Sequence, residues 1–257
     1  MALFECHFYS EVLGIQSSMT VIFPQKTKDK IWNKEKSGRD QVPVLYLLHG
    51  ASDDDTIWLR RTSIERYLES LDLAVVMPRV DLSFYTDMKH GLPYFAFISQ
   101  ELPKIVHEFF LVSDRREDTF IAGISMGGYG ALKSAFCYPE QYGAVASLSG
   151  VVDIDNFMQT NIIDNRVWDA VFGPKPVMKT ENDLYYLMDN CSKKAEKPKI
   201  FQCCGTEDFL WRDNQKFYKT CKEKGFDLTY YESPGTHNWE FWDDSIQRVL
   251  AWLPIRQ

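Results

Sequence analysis

The chain has 257 residues, of which 45% are hydrophobic and 25% charged, close to the average for globular proteins. A chain of this length buries a sizeable core without disulfides or metals to stabilise it. The formal net charge is −7, which argues against a nucleic-acid partner. No apolar run reaches the roughly 18 residues that a membrane-spanning helix needs, so we expect no membrane partner.

The N-terminus and the cysteines indicate where the protein works. Residues 1–6 show no charged leader followed by a long apolar run, so we expect no signal peptide. Six cysteines are present without the spacing of a disulfide framework, and Cys203 and Cys204 are adjacent in a mostly apolar run. We therefore expect free thiols and a cytoplasmic location.

Apolar runs alternate with stretches of helical periodicity along the chain. Early strands are expected at 4–9 and 19–23, followed by a polar segment at about 25–41 that we interpret as a loop or hairpin connection. Continuous apolar runs predict buried strands at 42–48, 73–78, 119–123, 144–149, 200–205 and 228–232. Helical periodicity predicts helices at 64–71, 95–110, 129–136, 217–224 and 239–253, the second with a kink at Pro103.

This alternation predicts an α/β fold with a mostly parallel central sheet of about eight strands and helices on both faces. The ligand site of such a sheet lies in the loops after the carboxyl ends of the strands. Residues 151–197 are longer than a normal crossover, and we interpret them as a helical insertion that forms a lid or wall over the site. Residues 1–257 are predicted to form a single domain.

The segment Gly123-Ile124-Ser125-Met126-Gly127-Gly128 contains the pattern G-x-S-x-G. A serine on a tight strand-to-helix turn has strained backbone angles, and the flanking glycines avoid clashes there. The pattern alone occurs by chance in many proteins, and its other interpretation is a glycine-rich structural turn. The buried strand before it and the helix after it favour Ser125 as a nucleophile.

A serine hydroxyl needs a base that removes its proton. The order in folds with this turn is serine, acid, histidine, and His237 is the one histidine that follows Ser125. Asp208 is our choice of acid because it follows a predicted strand and a carboxylate must hold the imidazole tautomer. Glu207 and Asp213 remain competitors, since sequence spacing does not exclude them.

Acyl transfer develops negative charge on a carbonyl oxygen, which two backbone N–H groups usually stabilise in an oxyanion hole. We expect these groups at Met126, the residue after the nucleophile, and at Ala51, in the loop after an early strand. We interpret His49, in the same loop, as a buried residue that holds the loop and takes no part in catalysis.

Four aromatic residues lie in or beside the predicted site loops: Trp58, Tyr85, Trp211 and Trp239. They would suit an apolar acyl or aryl group, although core packing is at least an equal interpretation for each. The run Asp53-Asp54-Asp55 invites a metal assignment, but three adjacent acids do not all face one point. We interpret it as a solvated turn or helix cap, and we predict no metal.

The segments 47–50, 53–58 and 83–88 together resemble the esterase family that includes esterase D (S-formylglutathione hydrolase). The segments 123–130, 205–210 and 237–239 resemble the bacterial tributyrin esterases most closely. The resemblance spans nearly the whole chain and implies an α/β-hydrolase fold. It also implies hydrolysis of short-chain acyl esters without a metal or an organic cofactor, and some relatives remove acetyl or feruloyl groups from plant polysaccharides.

The family's triad falls on Ser125, Asp208 and His237, and its oxyanion donors fall on Ala51 and Met126. Many relatives carry leucine at the position of Ala51, a change that reshapes the acyl pocket but leaves a backbone donor in place. Relatives often form dimers or tetramers, so the resemblance implies a homo-oligomer.

The leading hypothesis is a serine carboxylesterase that acts on small or carbohydrate-linked acyl esters through a covalent acyl-enzyme. The alternative enzyme is a thioester hydrolase acting on S-formylglutathione. A third hypothesis is a non-catalytic α/β-hydrolase-like binding protein, and the presence of every triad element argues against it. Acyl transfer to an acceptor other than water also stays open.

Overall fold

A computed structural model describes residues 1–25, 41–174 and 176–255. Its strands are Ala2–Ser10 (β1), Ile15–Phe23 (β2), Val44–Leu48 (β3), Ala74–Pro78 (β4), Thr119–Ile124 (β5), Ala144–Leu148 (β6), Lys199–Gly205 (β7) and Leu228–Ser233 (β8). They form one sheet in the order β1-β2-β4-β3-β5-β6-β7-β8. β1 and β2 form an antiparallel hairpin, β2 pairs antiparallel with β4, and the remaining neighbours pair in parallel. The predicted mostly parallel sheet of about eight strands is confirmed.

Helices cover both faces of the sheet. The α-helices in the described ranges are Ile57–Arg61 (α1), Ile64–Tyr67 (α2), Tyr94–Ala96 (α3), Leu102–Phe109 (α4), Met126–Cys137 (α5), Ile154–Met158 (α6), Asn165–Val171 (α7), Leu184–Ser192 (α8), Trp211–Glu223 (α9) and Trp239–Trp252 (α10). Alternate residues of β3 enter two separate core clusters, Val44 and Tyr46 in one, Leu45 and Leu47 in the other. Because successive strand side chains point to opposite faces, this central strand is buried on both sides.

The helix predicted at 95–110 is interrupted just before Pro103. The structure has a π-helical turn at Phe97–Glu101 between α3 and α4, and Pro103 lies in the first turn of α4. Proline has no N–H and clashes with the carbonyl four residues earlier, so it is tolerated where a helix begins. The backbone stays helical through the π turn, so the helix predicted at 95–110 is present, and a kink at Pro103 stays a prediction.

The predicted insertion contains α6, α7 and α8, so its helical character is confirmed. Most of the polar segment predicted as a loop lies outside the described residues, at 26–40. Across the part of the chain that the structure describes, no helix is both long and apolar enough to span a membrane.

Candidate active site

Ser125 occupies the sharp turn between β5 and α5. Its backbone angles are φ 51° and ψ −115°, a region that side chains other than glycine rarely adopt. Such strain costs of the order of 1–3 kcal/mol and persists only where surrounding contacts fix the backbone. Here the Ser125 N–H donates to the Leu148 carbonyl at 3.0 Å, and the Ser125 carbonyl accepts from the Val151 N–H at 3.1 Å. Hydrogen bonds on both sides of the serine thus hold the turn.

The glycines of G-x-S-x-G allow three pieces of backbone to meet. A Cβ on Gly123 would lie 2.4 Å from the Gly127 carbonyl. A Cβ on Gly127 would lie 2.6 Å from the His49 carbonyl oxygen and 2.7 Å from that of Leu48. Because real Cβ atoms do not approach backbone this closely, only glycine lets the first turn of α5 pack against the end of β3.

Ser125, His237 and Asp208 form a hydrogen-bonded line. The Ser125 Oγ lies 3.0 Å from His237 Nε2, and His237 Nδ1 lies 2.8 Å from Asp208 Oδ2. A carboxylate only accepts, so Nδ1 carries the proton and Nε2 presents its lone pair to the serine hydroxyl. The structure therefore brings together three residues that lie 29 and 112 positions apart in sequence.

The two competing acids point elsewhere. Glu207 accepts a hydrogen bond from the Gly235 N–H at 2.8 Å, and Asp213 accepts from the Asn156 side chain at 2.8 Å. Asp208 is buried, and its second carboxylate oxygen accepts from the Leu210 N–H at 2.9 Å. Of the three acids that the sequence left open, Asp208 is the one in contact with His237.

The expected oxyanion donors belong to two segments that pack together, because Gly127 of α5 lies against the Leu48 and His49 carbonyls that precede Ala51. Met126 is the first residue of α5, where a backbone N–H has no intrahelical partner. Ala51 lies in the turn after β3, and among the described residues no group accepts a hydrogen bond from its N–H. The close approach of Gly127 to the His49 carbonyl holds this turn beside the serine.

Trp58 and Tyr85 are not walls of a substrate pocket, and this part of the prediction was wrong. Both side chains are 0% exposed. The Trp58 Nε1 donates to the Leu48 carbonyl at 3.2 Å, and the Tyr85 hydroxyl donates to the His49 carbonyl at 2.9 Å. These two residues lie beneath the loop after β3 and support it.

The other two predicted pocket residues are partly exposed. Trp239 packs edge-on against Trp58 and against Trp242, whose ring lies 4.8 Å from that of His237. The Trp211 Nε1 donates to Glu232 at 2.9 Å, which directs its polar edge toward β8. For both, contact with a substrate stays a prediction.

Phe209, the residue directly after Asp208, was not among the predicted site residues. Its ring centroid lies 4.7 Å from that of His237, and its side chain is 52% exposed. It also stacks on Phe157 of α6 at 6.3 Å, which links the insertion to the candidate site. The sequence offered one indication of this role, since Phe209 is a large apolar residue directly after the expected acid. In a loop at the carboxyl ends of the strands, such a side chain has little core to pack into.

The insertion is fastened to α5 by a buried lysine. Lys133 Nζ donates to the Asn182 side chain at 2.7 Å, the Thr86 hydroxyl at 3.1 Å and the Tyr85 carbonyl at 3.2 Å. These three acceptors match the three donors of an ammonium group. Burial lowers the pKa of Lys133 to about 8. The Tyr129 hydroxyl adds a hydrogen bond to the Asn182 carbonyl at 2.8 Å.

Two of the three adjacent aspartates bind nearby side chains and backbone. Asp54 accepts from the Thr56 N–H at 2.9 Å and from Arg60, and Asp55 accepts from the hydroxyls of Ser18 and Thr20 at 3.1 Å each. Within residues 1–25, 41–174 and 176–255, no group of three or more histidine, cysteine or acidic side chains is arranged to hold a metal.

The sequence model of the family described as "Putative esterase" matches residues 22–253. The chain belongs to this esterase family. An acetyl esterase of Caldicellulosiruptor saccharolyticus is 29% identical over 262 residues, which cover 98% of each chain.

Two solved structures resemble the chain over 98% of its length and 98% of theirs. One is FphF, a fluorophosphonate-binding serine hydrolase of Staphylococcus aureus, with 35% identity and a TM-score of 0.89. The other is S-formylglutathione hydrolase (FrmB) of Staphylococcus aureus, with 35% identity and a TM-score of 0.86. The fold is therefore the α/β-hydrolase fold of this esterase family.

Proposed function

We propose that the protein is a serine carboxylesterase that hydrolyses short-chain acyl esters, including acetyl esters on carbohydrates, through a covalent acyl-enzyme. The observation that carries this proposal is the hydrogen-bonded line from Ser125 Oγ through His237 to Asp208. Membership of the esterase family and the likeness to an acetyl esterase support the same reaction.

In the first half-reaction, His237 Nε2 takes the Ser125 proton while Oγ attacks the ester carbonyl. The oxyanion that forms accepts hydrogen bonds from the N–H groups of Ala51 and Met126. Collapse of this intermediate breaks the bond to the alcohol, which leaves with the proton from His237. Asp208 holds the imidazole tautomer and stabilises the imidazolium between the two proton transfers.

In the second half-reaction, water attacks the acyl-enzyme and His237 takes one of its protons. The second intermediate collapses, the proton returns to Ser125 Oγ, and the carboxylic acid leaves. The cycle restores the starting enzyme with one water consumed, so it needs neither a metal nor an organic cofactor.

The test is hydrolysis of p-nitrophenyl acetate, butyrate and octanoate by the wild type and Ser125→Ala. We expect a burst of one p-nitrophenol per site, turnover that falls with acyl length, and a loss of kcat of at least about 10³-fold in the variant. Full activity of Ser125→Ala would refute the proposal. Absence of wild-type turnover on all three esters would favour a non-catalytic binding protein.

A second candidate function is hydrolysis of the thioester S-formylglutathione. It is favoured by the 35% identity to the Staphylococcus aureus S-formylglutathione hydrolase over nearly the whole chain. Both reactions use the same triad, so the site geometry alone suits either. Comparing kcat/KM for S-formylglutathione with that for p-nitrophenyl acetate separates them, and a thioester preference of about 100-fold or more would favour this second function.

We also propose that the insertion is a fixed wall of the site and not a mobile lid. The contacts of Asn182 with buried Lys133 and with the Tyr129 hydroxyl support a fixed position. The stacking of Phe157 on Phe209 supports a place beside His237.

A cytoplasmic location and a homo-oligomer are further proposals. All six cysteines are free thiols, which suits a reducing compartment. β1 is an edge strand, and it exposes Leu3 and Phe4 at 45% and 43%, which suits pairing with a second copy. Fractionation of native cells tests the location, and sedimentation of the wild type against Phe4→Glu tests the oligomer.

A further inference from the structure

Three successive carbonyls at the end of β3 each accept a hydrogen bond from a buried side chain. The Trp58 Nε1 donates to the Leu48 carbonyl and the Tyr85 hydroxyl to the His49 carbonyl. The third carbonyl, that of Gly50, lies 2.8 Å from His49 Nδ1. This loop is therefore held by side chains where regular strand pairing has ended.

Only one tautomer of His49 makes both of its ring hydrogen bonds. The Val80 N–H donates to His49 Nε2 at 3.1 Å, so Nε2 is the acceptor and Nδ1 carries the proton that goes to the Gly50 carbonyl. The side chain is 1% exposed, and burial lowers its pKa. The ring is therefore neutral, with a fixed tautomer and a fixed orientation.

The Gly50 carbonyl belongs to the same peptide unit as the Ala51 N–H. A trans peptide is planar, and its C=O and N–H point in opposite directions. A hydrogen bond that fixes the Gly50 oxygen therefore fixes the direction of the Ala51 N–H. It also polarises the peptide and makes that N–H a stronger donor.

Within the described ranges, one further hydrogen bond reaches this peptide, and it is weak. The Gly50 carbonyl also accepts from the Asp53 N–H, but at 3.4 Å, a long and weak hydrogen bond. The Ala51 N–H has no acceptor among the described residues, so it is available to a ligand. His49 is thus the main restraint on where this N–H points.

We propose that His49 is a positioning residue of the oxyanion hole, which orients the Ala51 N–H through the Gly50–Ala51 peptide. The proposal rests on the proposed esterase function. It goes beyond the interpretation of His49 as a buried residue that holds the loop, which its burial and hydrogen bonds support. The donor is set before substrate arrives, so no reorganisation accompanies charge development on the carbonyl oxygen.

Two substitutions separate the two ring nitrogens. His49→Asn places an amide near the position of Nδ1 and keeps a donor to the Gly50 carbonyl. His49→Gln places its amide near Nε2 and keeps an acceptor for the Val80 N–H, but loses the donor to Gly50. We expect kcat to fall about 10- to 100-fold in His49→Gln, below the 10²- to 10³-fold cost of removing an oxyanion donor. We expect His49→Asn to recover most of this loss, with KM within about threefold in both variants.

A double-mutant cycle tests whether His49 acts through Ala51. Ala51→Pro removes the N–H, and proline suits this position because the next residue, Ser52, has φ 68°, as in a type II turn. If His49 works by aiming that N–H, His49→Gln has little further effect on kcat in the Ala51→Pro background. Independent, additive losses would overturn the proposal, and so would full kcat in His49→Gln.

Nitrogen-15 NMR of the histidine rings tests the same geometry without any substitution, should the variants fail to fold. We expect His49 to stay protonated at Nδ1 and unprotonated at Nε2 between pH 6 and 9, and the opposite tautomer would overturn the proposal. Failure of the esterase function itself would be seen separately, as a wild type that does not hydrolyse any of the three p-nitrophenyl esters.

Discussion

At the scale of single residues, closeness in sequence does not decide which carboxylate binds His237. Glu207, Asp208 and Asp213 all follow β7, and each has a carboxylate. In the folded chain Glu207 turns to the Gly235 N–H and Asp213 to Asn156, while Asp208 reaches His237. The side-chain directions in the loop after β7 and in the first turn of α9 decide this assignment.

Asp208→Asn is expected to lower kcat by about 10³- to 10⁴-fold, because an amide N–H facing Nδ1 forces the His237 tautomer that cannot take the serine proton. Asp213→Asn is the matched control and should stay within about twofold of the wild type. Steady-state hydrolysis of p-nitrophenyl acetate measures both. A comparable loss in Glu207→Gln, with Asp208→Asn active, would move the acid to Glu207.

Phe209 has a matched control elsewhere on the surface. Phe209 and Phe109 are each 52% exposed, but only Phe209 contacts His237. The leaving alcohol takes its proton from His237, so the neighbouring ring should contact that alcohol. Phe209→Ala is expected to lower kcat/KM for aryl esters about 5- to 20-fold and for methyl esters less, while Phe109→Ala changes neither. Equal losses for aryl and methyl esters in Phe209→Ala would contradict this.

At the scale of elements, the insertion and α5 behave as one packed unit. Lys133 and Tyr129 reach from α5 to Asn182, and α8 packs along α5. Hydrogen bonds of a buried ammonium are costly to break because they leave unpaired groups behind. These contacts favour a wall that stays in place during turnover.

Hydrogen exchange checks this expectation. The amides of α8 should show the same protection in the free enzyme and after labelling of Ser125 with a fluorophosphonate. The loop at 205–210 provides the internal comparison, because it contacts His237 directly. A large gain of protection in α8 on labelling would indicate a lid that closes.

At the scale of the whole molecule, the thiols contribute to a loss of stability at alkaline pH. Burial raises the pKa of all six cysteines, from 9.0 to about 12 for Cys203 and to about 11 for Cys137. Above pH 9 the unfolded chain releases thiol protons that the folded chain keeps, so stability falls as pH rises. Lys133 has the opposite effect on stability between its lowered pKa of about 8 and its ordinary 10.5. Buried tyrosines act in the same direction as the thiols, because burial raises their pKa values too.

Urea unfolding between pH 7.5 and 10.5 measures this effect. We expect the free energy of unfolding to decline above about pH 9, and Cys203→Ala to reduce the slope by up to about 1.4 kcal/mol per pH unit. A free energy of unfolding that rose steadily through this range would contradict the expectation.

The sequence by itself determined the eight strands in chain order, five helical regions outside the insertion, and a mostly parallel sheet with the triad after the carboxyl ends of its strands. Runs of apolar residues indicate strands that are buried on both faces of the sheet. The glycines around Ser125 indicate a tight turn that residues with a Cβ do not tolerate. Both patterns are local in sequence, so they can be interpreted without knowing which elements pack together.

Tertiary structure alone decided which acid meets His237, where the aromatic residues point and what His49 holds. Trp58 and Tyr85 were predicted beside the site, yet they lie under the loop after β3, because a large side chain near a sheet edge turns either to solvent or to the core. The direction of such a side chain depends on the carbonyl groups and aromatic rings that pack around it. Those groups come from residues that are far apart in sequence.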